Sequence, residues 1–149
     1  MSIQTEVSEQ IKTAMKAKDT VSLEALRALK SAFLLANTSG ANVTMSEAEE
    51  LKIVQKLVKQ RQDSASIYSE QGRMDLAEPE LAQAKVLEQF LPKQMSEAEL
   101  TSAIQSIINS SGASSIKDMG KVMGIASKDL AGKADGKSIS EVVKKLLAG

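Results

Sequence analysis

The strongest constraint on this chain is a helix-opening signal that occurs twice. Residues 46–49 and 96–99 both read Ser-Glu-Ala-Glu. In such a capping box the serine hydroxyl accepts a hydrogen bond from a free backbone N–H three residues on, while the glutamate reaches back to the serine N–H. Each box predicts a helix start, and apolar residues at helical spacing follow both. After the first, Leu51, Val54, Leu57, Val58, Ala65 and Tyr68 predict one long helix to about Glu70. Gly72 closes it, because a residue free to adopt positive φ ends a helix cheaply. After the second, a helix over about 97–109 runs out in the polar stretch Asn-Ser-Ser-Gly-Ala-Ser.

The remaining segments follow the same grammar. Ser2 caps a first helix whose apolar stripe is Ile3, Val7, Ile11, Ala14 and Met15. Asp19 or Thr20 caps a second, with Leu23, Leu26, Ala28, Leu29, Phe33 and Leu34 apolar. It ends in the polar residues 37–42, where Gly40 marks a loop. A fourth helix covers about 74–90 through Leu76, Leu81, Ala84, Leu87 and Phe90. Pro79 complicates its start, being comfortable as a first helical residue and unfavourable inside a running helix. Pro92 stops that helix, so 91–100 is the expected domain boundary. Ser115 with Asp118 opens a helix over about Ile116 to Leu130, and Ser138 with Glu141 opens one over about Ile139 to Ala148. No alternating apolar run suggests a strand. The expectation is an all-α chain, with a four-helix region at 1–93 and a small three-helix domain at 94–149.

Composition narrows the chemistry. The 149 residues are 42% hydrophobic and only 2% aromatic, so the core must be built from Leu, Ile, Val, Met and Ala, and bases would find few rings to stack on. Nineteen basic residues balance nineteen acidic ones, which leaves no global field for nucleic acid. With no cysteine and no histidine, disulfides, thiolate nucleophiles, most metal sites and the commonest general base are excluded. A serine nucleophile would have only lysine as its base, and no Gly-Ser-rich amidase signature surrounds one. No metal, cofactor or catalytic residue is expected. No apolar run approaches the ~20 residues of a membrane span. The first residues form an amphipathic helix rather than a secretory signal, so a cytoplasmic location is expected.

One passage stands apart: residues 119–136, "MGKVMGIASKDLAGKADG". It is no P-loop, because the GxxxxGK[ST] order is missing and no strand precedes it. At ~100° per residue, Lys117, Lys121 and Lys128 fall within about 40° on one stripe. Ile116, Met119, Val122, Met123, Ala126 and Leu130 lie across the opposite face, so the methionines read as core. Gly120 and Gly124 lie between the two, each costing ~1 kcal/mol of helix propensity relative to Ala. Close approach of a neighbouring helix would explain them. So would bare backbone beside lysines, which lets a phosphate chain come near. Gly132 and Gly136 read as helix closure and an Asp135-Gly136 turn. After residue 112, Lys117, Lys121, Lys128, Lys133, Lys137, Lys144 and Lys145 face Asp118, Asp129, Asp135 and Glu141, a local surplus of three positive charges. That surplus fits either a solvated face or a surface that contacts phosphates without reading sequence.

A second charged passage spans 56–80. Arg61 and Arg73 could pair with Asp75, Glu78 and Glu80 across the helix junction and fix its angle, or the cluster could serve partner or RNA contact. Those carboxylates lack histidine partners and ligand-like organisation, so metal chemistry is a poor fit. Tyr68 reads as an edge-of-core residue, and Arg27 and Lys30 as snorkelling surface cations.

Taken together, "LEALRALKSA" (23–32), "KQRQDSASIY" (59–68), "GRMDLAEPE" (72–80), "FLP" (90–92), "KDMGKVMG" (117–124) and "GKADGKSIS" (132–140) resemble the YqeY-like family, also called GatB/YqeY domain proteins. The resemblance marks Arg27, Lys59, Arg61, Tyr68, Arg73, Asp75 and Glu80 in the first region as motif residues. In the second it marks Asp118, Gly120, Gly124, Gly132, Asp135 and Gly136. Pro79 and Ala84 depart from the pattern, and Lys133 stands where arginine is common, keeping charge without the fork geometry. The family implies a C-terminal domain similar to the tail of GatB, a subunit of the glutamine-dependent amidotransferase that corrects mischarged Asp-tRNA or Glu-tRNA. That tail helps engage tRNA, whereas the activation chemistry lies in a larger domain for which this chain is too short. The resemblance therefore implies a stand-alone tRNA-binding or amidotransferase-associated helper with no catalysis of its own. Lys117, Lys121, Lys128, Lys133, Lys137 and Lys144 would form its contact surface. The implied partners are tRNA and amidotransferase or synthetase components, with neither DNA nor membrane. Two alternatives stay open: a component of a carbon–nitrogen ligase with glutamine as amido-N-donor, and a protein-interaction module using the 46–71 helix.

Overall fold

The computed structural model describes residues 2–38 and 45–148. It is all-α: seven α-helices and one short 3-10 turn, with no strand among the described residues. The chain divides into two compact units, Met1–Leu91 and Pro92–Gly149. The loop expected around Gly40 falls largely at 39–44, outside the described residues.

The first unit holds four helices: α1 (Ile3–Ala17), α2 (Thr20–Thr38), α3 (Glu47–Glu70) and α4 (Met74–Glu88). Local chemistry opens them as expected. The Ser2 hydroxyl accepts from the Thr5 N–H, Asp19 accepts from the Ser22 N–H at 3.1 Å, and the Ser46–Glu49 capping box is fully formed. Gly72, at φ +72°, turns the chain between α3 and α4. These two helices make the most extensive pairing in the unit. Val7, Leu26, Leu29, Phe33, Val54 and Leu87 are fully buried at its centre.

Several first-unit expectations need correction. Helix α4 begins at Met74 and runs straight through Pro79. The ring removes the bond that would go to the Asp75 carbonyl. Both residues are exposed, so water can serve that carbonyl. Met15, Leu34, Leu76 and Leu81, read as inward, are exposed.

The second unit comprises α5 (Glu97–Ser111), the 3-10 turn (Ile116–Asp118), α6 (Met119–Asp129) and α7 (Gly136–Ala148). The Ser96–Glu99 box opens α5, and Gly112 ends it. Ile104, Val122, Ala126 and Val143 are its most buried residues, with Met119 and Met123 half-buried against them. The continuous helix expected over 116–130 is instead a 3-10 turn followed by α6, and Ile116, expected on the apolar face, is exposed in that turn, where the α-helical wheel does not apply. Helix α7 starts at Gly136, three residues before its expected beginning. The Asp135 carboxylate, rather than Ser138, takes the capping position by accepting from the Ser138 N–H at 2.8 Å. Gly132 is buried at φ +77° between α6 and α7, a backbone that a side chain would strain.

Candidate nucleic-acid interface

The corner between α5 and α6 is held by two ionic side chains. The Asp118 carboxylate accepts from the Ser114 N–H at 2.9 Å and the Ser115 N–H at 3.3 Å. Those bonds, with help from the nearby Lys121 charge, hold the Asp118 carboxyl below its ordinary range. Lys121 also reaches back to donate to the Ser111 carbonyl at 2.9 Å, at the end of α5. A cation there meets the negative end of the helix dipole. Lys121 is thus both an exposed charge and a brace.

A second set of bonds closes the other side. The Met95 N–H donates to the Lys133 carbonyl at 3.0 Å, and Gln94 Nε2 donates to the Gly132 carbonyl at 2.6 Å. The backbone of Lys133 is therefore fixed, while its side chain is exposed.

The expected lysines can now be placed. Lys117 lies in the 3-10 turn, where residues step by more than 100°, so the stripe drawn through it on an α-helical wheel does not hold. Lys128 sits in the last turn of α6, Lys137 in the first turn of α7, and Lys144 one face-repeat further along α7. All are exposed. Among the described residues, none of these ammoniums is paired with a carboxylate, the ion pair there being Arg73–Asp75.

Gly120 and Gly124 correct the expectation of helix close-packing. A Cβ built on either would meet nothing within 4 Å. Taking ~100° per residue, Gly124 points directly away from the buried Val122–Ala126 face, with Gly120 and Lys128 about 40° to either side and Lys121 about 60° away. The outer surface of α6 is bare backbone flanked by ammonium groups.

The charged residues of the first unit are organised differently. Arg73 makes a bidentate pair with Asp75, at 3.0 and 2.9 Å, with both side chains more than half exposed. It lowers the Asp75 carboxyl below its usual range, but a solvated pair of this kind adds little stability. Arg61 does not pair with a carboxylate as expected. Its Nε donates to Gln83 Oε1 at 3.1 Å, and Gln83 in turn donates to Glu24 on α2 at 3.1 Å. Gln83 had no distinguishing signal in the sequence, yet it links three helices. Arg27 and Lys59 are exposed, whereas Tyr68 and Glu80 are half-buried. Glu50 was also missed: only 5% exposed, it accepts from the Gln4 N–H at 3.2 Å and ties α1 to α3. A carboxylate next to the Ser46 capping box looks like ordinary helix-opening charge, and only the burial distinguishes it.

A family model described as "Yqey-like protein" matches residues 4–147, nearly the whole chain. The chain belongs to the YqeY-like family. This agrees with the resemblance carried by the motif segments, which are spread over both units of the YqeY-like fold. One relative is "Altered inheritance of mitochondria protein 41, mitochondrial" from Meyerozyma guilliermondii, 36% identical over 84 residues. That match covers 54% of this YqeY-like chain and 42% of the relative. The chain thus spans less than half the length of that curated protein.

Proposed function

We propose that this YqeY-like chain is a stand-alone tRNA-binding or tRNA-amidotransferase-associated helper, without catalysis of its own, and that it contacts RNA through the lysine-bearing surface of its second unit. The observation that carries the reading is the outer face of α6. Two glycines expose helix backbone there, with nothing within 4 Å of a Cβ built on either, beside the exposed Lys121 and Lys128, neither of which is in an ion pair among the described residues. Helix glycines cost stability, and among the described residues no close contact at either position offsets that cost. A phosphate chain that must approach the backbone closely supplies a reason for them, and cations at that surface suit it.

Filter binding to tRNA across a salt series tests this with Lys117→Glu, Lys128→Glu and Lys144→Glu. Lys121 is left intact because it also braces Ser111. Each replacement should weaken binding and reduce the salt slope by about one unit per lost phosphate contact. Unchanged affinity and slope in all three would remove the surface assignment. Incubating the purified chain with Glu-tRNA, glutamine and ATP tests the other half, since turnover would make it a ligase component. The relative's name places that protein in mitochondria. For this chain, a cytoplasmic location is part of the proposal, and cell fractionation checks it.

A further inference from the structure

We infer that the RNA taken by the second unit is base-paired, and that it is held by its phosphates without regard to sequence. This rests on the RNA-contact reading above and narrows its ligand class. The argument starts from what each unit contains. The three aromatic residues, Phe33, Tyr68 and Phe90, all lie before residue 92, so 92–149 carries no ring for an unpaired base to stack on. Stacking platforms are the main grip of proteins that bind single strands. The three arginines, Arg27, Arg61 and Arg73, also lie in the first unit. The second unit therefore has no guanidinium fork for bidentate recognition of a base edge or for stacking. Its cations are all lysines, which act on phosphates as point charges.

The strength and spacing of those charges favour the same ligand. Residues 92–149 hold eight lysines against six carboxylates, a weak excess. A weak excess needs a ligand of high charge density, and pairing two strands roughly doubles the phosphates per length of axis. Lys121 and Lys128 on α6 are seven residues apart, as are Lys137 and Lys144 on α7, so each pair is about 10 Å apart along its helix. Lysine stems rooted at that spacing on helices complement phosphates held in place on a duplex, whereas a flexible strand would lose freedom on binding with no stacking to offset it. The exposed backbone at Gly120 and Gly124 adds a shallow place for the ribose-phosphate surface, which is how double-stranded RNA is recognised by shape.

Fluorescence anisotropy with the full chain tests the inference on three labelled probes: a short RNA duplex, an unstructured uridine-rich strand of equal length, and a second duplex of unrelated sequence. We expect the duplex to bind about tenfold or more tighter than the single strand, with a steeper salt dependence. The two duplexes should agree within about threefold, because phosphate contacts carry no sequence information. Equal or tighter binding of the single strand, or a tenfold difference between the duplexes, overturns the inference while leaving RNA binding standing. Failure of all three probes to bind at low salt overturns the parent reading and this one with it.

Discussion

The two units hold themselves together with different kinds of polar contact. In the first, long side chains run from helix to helix: Arg61 to Gln83 to Glu24, Gln62 to Glu88, and Gln10 to Gln89. In the second, side chains reach backbone at the corners: Asp118 to Ser114 and Ser115, Lys121 to Ser111, and Gln94 to Gly132. Helix-to-helix stitching commits these side chains of the first unit to its own structure. Corner stitching leaves the outer face of α6 to the open Gly120 and Gly124 and the exposed Lys128. The composition runs the same way. Residues 1–91 carry eleven cations against thirteen carboxylates, whereas 92–149 carry eight against six.

The largest test of this contrast concerns the cores, which should be equally essential despite the different stitching. Leu87→Ala in the first unit and Ile104→Ala in the second each empty a fully buried site. Each should cost about 2–5 kcal/mol, read from the midpoint of urea unfolding. Hydrogen exchange should show the loss concentrated in the amides of the mutated unit. A cost well under that range in the second unit would mean that its small core contributes less than its corners.

Removing the buried carboxylate of the first unit comes next. Glu50→Ala leaves the Gln4 N–H without its acceptor and should destabilise by about 1–3 kcal/mol. Glu50→Gln keeps an acceptor oxygen and should cost less. If both variants unfold at the wild-type denaturant concentration, the tie between α1 and α3 is not a stabilising one.

Smaller, and opposite in sign, is the effect of filling the open face of α6. Gly120→Ala has room and a helical backbone, so it should raise stability by about 0.5–1 kcal/mol. The same change should lower RNA affinity under the proposed function. Stabilisation without loss of binding would make the glycines irrelevant to contact. Destabilisation would mean that the face is covered after all.

These cases also show what could be read before the structure. The Ser46 and Ser96 boxes were legible because all their chemistry lies within four residues. The start of α7 was not, since Gly136, Lys137 and Ser138 add nothing to the apolar stripe. Periodicity therefore began at Ile139, while Asp135 had already capped the helix. The partner of Arg61 depends on how α3 and α4 are rotated against each other, which spacing along one helix does not encode. The same limit applies to Gly120 and Gly124: their place in the sequence was clear, but whether a neighbour covers them is a tertiary fact. The motif residues were legible as a family pattern, and their contacts differ widely, from the exposed Arg27 to the buried Gly132.

The least disruptive test uses acid to loosen one corner of the second unit. The Asp118 carboxyl is lowered by the Ser114 and Ser115 N–H groups, with Lys121 adding to the effect and partial desolvation opposing it. A folded-state pKa below the unfolded value means that the ionised form favours folding. That contribution is fully present above the ordinary aspartate range near ~4, and is lost as pH falls through the depressed folded value. An NMR titration should therefore show the Asp118 carboxyl ionising below that range, with the Ser114 and Ser115 amide shifts moving at the same midpoint. Asp118→Asn should abolish that shared midpoint and flatten the acid limb of stability that belongs to this corner. First-unit carboxylates that cap or pair locally, Asp19 and Asp75, are lowered too, so their transitions supply internal references in the same titration. If the two serine amides titrate with Asp118 and keep their response in the Asn variant, the carboxylate is not their acceptor. The corner would then be held by Lys121 and Ser111 alone.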